Sequence, residues 1–205
     1  SRDFNGTTSA TSAGVFTTLY DNAQPFTAMG WFAADGLGEG TSSMLICKAT
    51  AQGTPPGRWT FFAIKPATLR FLRSYATTAL IRNSSAGYVA TDGTFHHYAV
   101  TWNGQATTGG VRIYRDGVEV TYGANTEPVG GLRVESANAT ALCIGNTSDG
   151  SRTFDGRISH VHFLRRVLEA DEIGYLMRHP AGVKAMGAQA VNTSGLVGYW
   201  NYVGF

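Results

Sequence analysis

The stretch from residue 94 to residue 120, TFHHYAVTWNGQATTGGVRIYRDGVEV, constrains the fold more than any other part of the chain. It contains two runs in which apolar and polar residues alternate, joined by a loop rich in Gly and Thr. A third, β-branched run follows directly after Asp116 and Gly117. An Asp-Gly pair between two such runs is typical of a β-hairpin, because a two-residue turn needs positive φ, which Gly adopts without strain. The stretch therefore predicts an antiparallel all-β protein.

Short apolar runs, separated by clusters of Gly, Pro, Asn and Asp, recur along the whole chain. They predict strands over residues 15–20, 26–32, 44–48, 58–64, 69–74, 77–82, 95–102, 111–115, 118–122, 142–145, 156–164 and 196–202. This number of strands favours a large two-sheet jelly-roll sandwich over a seven-stranded immunoglobulin-like domain.

One helix is predicted over residues 168–178, ended by His179 and Pro180. Its apolar stripe consists of Leu168, Ile173, Leu176 and Met177. All-β sandwiches of about 200–250 residues commonly form one unit, so the 205 residues predict a single domain. Terminal arms are expected at about residues 1–14 and 181–205.

The balance of charge limits the classes of partner. Charged residues make up 15% of the chain, against about 25% in an average domain, so we expect a neutral surface typical of extracellular proteins, adhesins and particle coats. The net charge of +2 includes no run of like charge, which argues against nucleic acid. The sequence shows neither an apolar span that could cross a membrane nor a signal peptide pattern. We expect synthesis in a cytoplasm without a cleaved leader, with a processed secreted form as the alternative.

No catalytic centre is predicted. Glycan-cleaving sandwiches need two carboxylates roughly 5–10 Å apart across a sugar bond. The nearest approach to a strand-borne Glu-x-Asp-x-x-Glu pattern is Glu169, Asp171 and Glu172, and these residues lie on the predicted helix. The chain is therefore expected not to be an enzyme.

Two histidines, His160 and His162, share one face of the predicted strand at residues 156–164. Alternation assigns Val161 and Phe163 to the packed face, so both histidines are expected on an exposed face. A zinc site needs further ligands in fixed geometry. A surface or subunit-contact role is therefore the favoured interpretation of this pair.

The oxygen-rich loop at residues 146–150, NTSDG, is the best candidate for a metal site. Asn146 and Asp149 are the candidate calcium ligands, because side-chain and carbonyl oxygens are what calcium prefers. An Asx turn explains the same residues without an ion and is the favoured interpretation. No cofactor is otherwise expected. The two cysteines, Cys47 and Cys143, lie in apolar runs and are expected to be buried free thiols, or a bridge if their Cα atoms lie within about 7 Å.

Five segments resemble, in order, the laminin-G-like, concanavalin A-like jelly-roll superfamily: FTAMGWF, FHHYAVTWNG, VRIYRDGVEV, LCIGN and FDGRISHVHFLRRVLEADEIGYL. The opening RDFNGT and the late LVGYW are similar to a version common in tailed bacteriophages. The resemblance implies the fold, which hosts lectins, adhesins, receptors and coat proteins alike. Members often carry Ile-Asp-Glu-Val in the last long strand. Here the segment is Ile158-Ser159-His160-Val161, so the usual calcium site is expected to be degraded.

The leading hypothesis is a non-enzymatic structural protein on the surface of a phage-like virion, as a capsid decoration or tail-associated module. Its partner would be a major capsid or tail protein. Attachment is expected through the terminal segments, with Trp200, Tyr202 and Phe205 as apolar anchors. Symmetric homo-oligomers are common among such proteins.

The alternative hypothesis is a carbohydrate-binding, lectin-like module for host-surface or extracellular glycans. Its expected ligand-binding residues are Asn146, Asp149, Arg152 and Trp59. The aromatic residues available as a sugar platform are Trp59, Trp31, Tyr75, Tyr88 and Trp102, although each of these is more often a core residue.

Overall fold

The computed structural model describes residues 2–5, 11–13, 23–39, 42–49, 59–64, 67–133, 140–181 and 194–202. The strands are β1 (Arg2–Asn5), β2 (Thr11–Ser12), β3 (Phe26–Ala34), β4 (Ser42–Lys48), β5 (Trp59–Ile64), β6 (Thr68–Arg73), β7 (Leu80–Asn83), β8 (His96–Trp102), β9 (Val111–Arg115), β10 (Val118–Glu119), β11 (Cys143–Ile144), β12 (Asp155–Leu164) and β13 (Leu196–Trp200). The α-helix is α1 (Ala170–Arg178), and Thr108–Gly110 forms a short 3₁₀ turn.

Two antiparallel sheets are built from strands that are distant in sequence. Sheet A has the spatial order β1-β12-β3-β8-β9-β10, and β13 also pairs with β12. Sheet B has the order β2-β11-β4-β5-β6-β7. This architecture confirms the predicted two-sheet antiparallel jelly-roll with one short helix.

The strand predictions are confirmed for most elements, with ends shifted by at most three residues. The predicted strand at residues 15–20 lies outside the described part of the chain. The sequence did not predict β1 and β2, which are short and hold few apolar residues.

The hydrophobic core lies between the two sheets. Aromatic rings dominate it, as in the edge contact between Phe26 and Trp102, whose centroids are 5.9 Å apart. Sheet A contributes Phe26, Phe32, Val100, Trp102, Ile158 and Phe163, and sheet B contributes Leu45, Ile46, Phe61, Leu69 and Phe71. Burying one such side chain stabilises the fold by about 1.5–3 kcal/mol. This core holds the two sheets face to face.

The hairpin between β9 and β10 has the predicted turn. Asp116 and Gly117 have φ of 52° and 80°, and Val118 pairs with Arg115. Positive φ at both central residues is the signature of a type I′ turn. One carboxylate oxygen of Asp116 accepts the backbone N–H of His97 at 2.9 Å, which ties the turn to β8.

The helix α1 covers part of the outer face of sheet A. It begins two residues later than predicted, because Glu169 is the N-cap and forms a reciprocal capping box with Glu172. Arg166 adds a two-pronged ion pair to Glu172 at 2.6 and 2.8 Å. The buried face of α1 packs on Met29, Ala99, Tyr114 and Leu164. Within the described residues no helix is long and apolar enough to cross a membrane.

Both ends of the described chain belong to sheet A. Strand β1 pairs with the first half of β12, and β13 pairs with its second half. Segments expected to be terminal arms therefore contribute strands to the sandwich.

The cysteines lie on the outer face of sheet B. Cys47 and Cys143 are direct register partners on β4 and β11. Both are buried and neither is bridged.

Candidate functional site

An open cavity of about 480 Å³ lies on the outer face of sheet A, beside the C-terminal end of α1. The described residues that line it are Trp31, Phe95, Ser159, His160, Met177 and Pro180. Ligand cavities of about 300–1,000 Å³ with aromatic walls and few polar groups are the usual form of a small-molecule site. This cavity is therefore the candidate functional site.

The floor of the cavity comes from three neighbouring strands. Trp31 on β3 pairs with Ser159 on β12 and with His97 on β8, which sets these residues in one row across the sheet. Trp31 is the one residue of β3 that is not buried. A tryptophan partly exposed in an otherwise buried central strand presents its ring to whatever enters the cavity.

The next row of the sheet positions Phe95. Arg157 pairs with Ala33, which is fully buried and small. The Arg157 guanidinium reaches Phe95, with its carbon 5.1 Å from the ring centroid, and donates a hydrogen bond to the Gly93 carbonyl at 2.6 Å. Arg157 thus packs over the face of the Phe95 ring and is not among the described residues that line the cavity.

A β-bulge places His160 at the rim. The β12–β3 register shifts between Ser159 and His162, and His160 has φ of 49°. A positive φ at a residue other than Gly costs about 1–2 kcal/mol, and bulges commonly re-aim side chains next to sites. The Ser159 hydroxyl oxygen lies 2.6 Å from Nδ1 of His160. Burial lowers the pKa of His160, which favours the neutral form of its imidazole.

The expectation that His162 is exposed is wrong. Its exposed fraction is 1%, and its Nε2 donates a hydrogen bond to the Pro180 carbonyl at 2.9 Å. Its ring stacks on the Tyr199 ring, with the two centroids 4.5 Å apart. The physical reason is that β13 and the segment after α1 cover this part of the outer face. Alternation along one strand gives no information about such a cover.

A second buried histidine supports the floor. The His97 ring packs edge-on against the Trp31 ring, with the two centroids 5.5 Å apart. Burial lowers the pKa of His97 to about 3 and that of His162 to about 4. Both rings are therefore neutral at physiological pH and act as packing groups beneath the cavity.

Met177 forms a wall that contacts the β9–β10 turn. A Cβ added to Gly117 would lie 3.5 Å from the Met177 methyl carbon. The Asp-Gly hairpin, the strongest signal in the sequence, thus supports the end of the helix that bounds the cavity.

The loop predicted to bind calcium or glycans is closed on itself. Asn146 is fully buried, and its amide donates to the Gly150 carbonyl and to the Thr153 hydroxyl at 3.2 and 2.8 Å. One carboxylate oxygen of Asp149 accepts the backbone N–H and the hydroxyl of Ser151 at 3.0 and 2.8 Å. This is the hydrogen bonding of an Asx turn. The calcium and glycan roles of Asn146 and Asp149 stay predictions.

The remaining predicted site residues lie apart from the described cavity lining. Arg152 is half-buried, and its backbone N–H donates to Glu39 at 2.8 Å. Trp200 and Tyr202 are half-buried and pack against the core between the sheets. The side chain of Trp59 and the whole of Phe205 lie outside the described residues.

Of the other aromatic platform candidates, Trp102 and Tyr75 are core residues. Tyr88 is half-buried, and its hydroxyl oxygen accepts the Thr121 backbone N–H at 2.9 Å. Among the described residues no group of three or more His, Cys, Asp or Glu side chains is placed to hold a metal ion.

Comparison with solved structures gives matches to carbohydrate-binding proteins. A candidate carbohydrate-binding protein from Bacteroides ovatus is 15% identical with a TM-score of 0.61; the alignment covers 97% of this chain and 50% of that one, so this chain spans half its length. The CBM40 of the Ruminococcus gnavus IT-sialidase is 11% identical with a TM-score of 0.56, over 86% of this chain and 97% of that one.

A heptameric SAP-like pentraxin from Limulus polyphemus is 12% identical with a TM-score of 0.52, over 98% of this chain and 92% of that one. At these identities the likeness shows the fold. No curated protein matches the sequence. The family model described as the concanavalin A-like lectin/glucanases superfamily matches residues 5–174, and the chain belongs to this family.

Proposed function

We propose that this chain is a non-catalytic carbohydrate-binding module whose ligand occupies the cavity on sheet A. The observation that carries the proposal is the partly exposed Trp31 ring on the floor of a cavity that also holds Phe95 and His160. Aromatic rings supply a large contact area at a low cost in side-chain entropy, and a few polar groups fix the orientation of a ligand.

The comparisons support this proposal over the virion hypothesis. Two of the matched structures are described as carbohydrate-binding, and none of those compared above is a virion protein. A glycan ligand also fits an extracellular or surface location. Attachment to a virion stays a second hypothesis, and two of its expected anchors, Trp200 and Tyr202, already pack against the core.

The chemistry of the described lining supports binding without hydrolysis. The described residues around the cavity include no Asp or Glu. Hydrolysis of a glycosidic bond uses a pair of carboxylates on either side of that bond. The described lining can therefore hold a sugar but lacks the acid and base that would cleave it.

A glycan-array screen followed by affinity measurements tests the proposal. Wild-type protein is expected to bind a glycan saturably, and Trp31→Ala is expected to lose at least about tenfold in affinity, or 1.4 kcal/mol. Val118→Ala is the control, because Val118 is 70% exposed on the edge strand β10 and does not line the cavity. Undiminished binding by a folded Trp31→Ala variant would overturn the assignment of the cavity.

The same screen, run with calcium and again with EDTA, tests the loop at residues 146–150. The hydrogen bonds that satisfy Asp149 within its turn lead us to expect the same binding in both buffers. Binding that is lost in EDTA and in Asp149→Asn would move the site to that loop.

A further inference from the structure

We infer that the cavity selects neutral sugars that carry an N-acetyl group, with the acetyl methyl held among Trp31, Met177 and Pro180. This inference rests on the proposed carbohydrate-binding function and specifies its ligand. It follows from the polar groups of the described lining, the state of the His160 ring, and the charge around the cavity.

The first step concerns the polar groups. Apart from the indole N–H of Trp31, the polar side-chain groups of the described lining belong to Ser159 and His160, and these two already contact each other at 2.6 Å. A plain hexose has hydroxyls around its ring, and each hydroxyl buried without a partner costs about 1–3 kcal/mol. The portion of the ligand that enters the cavity is therefore mostly apolar.

The second step concerns the free nitrogen of His160. Its Nδ1 is engaged by Ser159, and no described group is hydrogen-bonded to its Nε2. If the Ser159 hydroxyl donates, Nε2 carries the hydrogen and donates to a carbonyl; if Nδ1 donates, Nε2 accepts from an N–H. An acetamido group offers a carbonyl and an N–H next to its methyl, so it matches either tautomer.

A deoxy-sugar methyl fits this arrangement less well. Such a methyl group could occupy the same apolar space, yet it carries no adjacent amide. Nε2 of His160 would then lose water without gaining the paired group that an acetamide provides.

The third step concerns charge. The described lining contains no Lys, Arg, Asp or Glu, and Arg157 is held on Phe95 and the Gly93 carbonyl. A carboxylate on the ligand would therefore be desolvated without a cationic partner in the described lining. This favours a neutral N-acetylhexosamine over a uronic or sialic acid.

The bulge also prepares the site for its ligand. His160 is fixed in a left-handed backbone conformation and tied to Ser159 before any ligand binds. A group held in position in advance loses less entropy on binding.

Titration calorimetry and saturation-transfer NMR on the full chain test the inference. The ligands are N-acetylglucosamine and N-acetylgalactosamine, with glucose, galactose, fucose and N-acetylneuraminic acid for comparison. We expect the N-acetylhexosamines to bind at least tenfold more tightly than the parent hexoses, with the strongest saturation transfer at the acetyl methyl.

The variant His160→Asn tests whether the imidazole of His160 is responsible for the preference for N-acetyl sugars. Asn tolerates positive φ, so the fold is expected to persist. The affinity ratio of N-acetylglucosamine to glucose should then fall toward one. Trp31→Ala should lower the affinity for every sugar.

The outcomes separate the two proposals. Equal affinity for hexoses and N-acetylhexosamines, with both lost in Trp31→Ala, would overturn the N-acetyl selectivity and leave the carbohydrate-binding function standing. Preference for fucose would do the same. Preference for N-acetylneuraminic acid, which also carries an N-acetyl group, would overturn the selectivity for neutral sugars and leave the carbohydrate-binding function standing. Binding that does not depend on Trp31, or no binding of any glycan on an array, would overturn the proposed function itself.

Discussion

At the residue scale, the outer face of sheet A depends on histidines that are kept neutral by burial. His97 lies against Trp31, and His162 lies between Tyr199 and the Pro180 carbonyl. A buried imidazole that cannot take up a proton links folding to pH. The same burial that keeps the cavity floor rigid therefore makes the fold sensitive to mild acid.

The variant His162→Gln tests this link. Burial lowers the pKa of His162 to about 4, whereas an unfolded histidine titrates near about 6.5. The stabilisation is complete above pH 6.5 and is lost as the pH falls toward 4, because only the unfolded chain takes up the proton. Between pH 7.5 and 5, His162 should account for a fall of about 2 kcal/mol in the free energy of unfolding.

Urea denaturation at the two pH values measures this fall. Gln keeps an N–H for the Pro180 carbonyl but does not titrate. Between pH 7.5 and 5, the free energy of unfolding of the variant should therefore fall by about 2 kcal/mol less than that of wild type. Similar m-values would show that the same surface is exposed on unfolding. An equal pH dependence in both proteins would contradict the buried, neutral state of His162.

At the element scale, the β9–β10 hairpin and α1 form one support for the cavity wall. The turn needs positive φ at Gly117, and Gly117 packs against Met177 on the helix. The position of Met177 therefore depends on the β9–β10 turn. The sequence predicts this turn from two residues, Asp116 and Gly117.

The variant Gly117→Ala tests the turn. An added Cβ would lie 3.5 Å from Met177, which is ordinary contact, so the cost comes from the backbone. We expect a loss of about 1–2 kcal/mol in the free energy of unfolding. Gly87→Ala is the matched control, since Gly87 has φ of 88° and nothing lies within 4 Å of an added Cβ.

Measured by urea denaturation, the free energies of unfolding of Gly117→Ala and Gly87→Ala should differ by less than about 0.5 kcal/mol. A third variant, Gly131→Ala, has open space and no positive φ, and is expected to be near neutral. A much larger loss in Gly117→Ala than in Gly87→Ala would show that contact with the helix, and not the turn, dominates.

Elements with a local signal were predictable from the sequence, and the site was not. The hairpin at Asp116 and Gly117 was correct because turn chemistry is a property of adjacent residues. The outer face that carries His162 is covered by β13 and by the segment after α1, which the alternation along one strand does not show, so the predicted exposure of His162 was wrong. The cavity joins residues from β3, β12, α1 and the approach to β8, and only the fold brings these together.

Some signals of the site were present in the sequence without being decisive. Trp31 was among the aromatic candidates, but nothing in its neighbours distinguishes it from a core residue. The Ser-His pair at residues 159–160 stands where the family resemblance led us to expect an acidic pair, and the structure places it at the cavity. The polar loop at residues 146–150 resembles a ligand site in composition because turns and ligand sites use the same residues.

At the scale of the whole molecule, β12 is the strand with which the first and the last described strands both pair. Strand β1 pairs with residues 155–158, and β13 pairs with residues 161–164, on the edge of sheet A next to the cavity. Val197 and Trp200 pack against the core between the sheets. The C-terminal strand is thus a structural part of the sandwich and covers His162 through Tyr199.

Deletion of residues 194–205 tests whether this segment is part of the sandwich or an arm. The deletion removes a strand, the partial burial of Val197 and Trp200, and the ring over His162. With about 25 cal/mol for each Å² of apolar surface buried, we expect a loss of at least about 3 kcal/mol in the free energy of unfolding by urea denaturation. Val118→Ser, at an exposed position on the opposite edge of sheet A, should change stability by less than about 0.5 kcal/mol. A truncated protein as stable as wild type would instead mean that the segment is free to bind a partner, and it would restore the terminal attachment inferred for a virion protein.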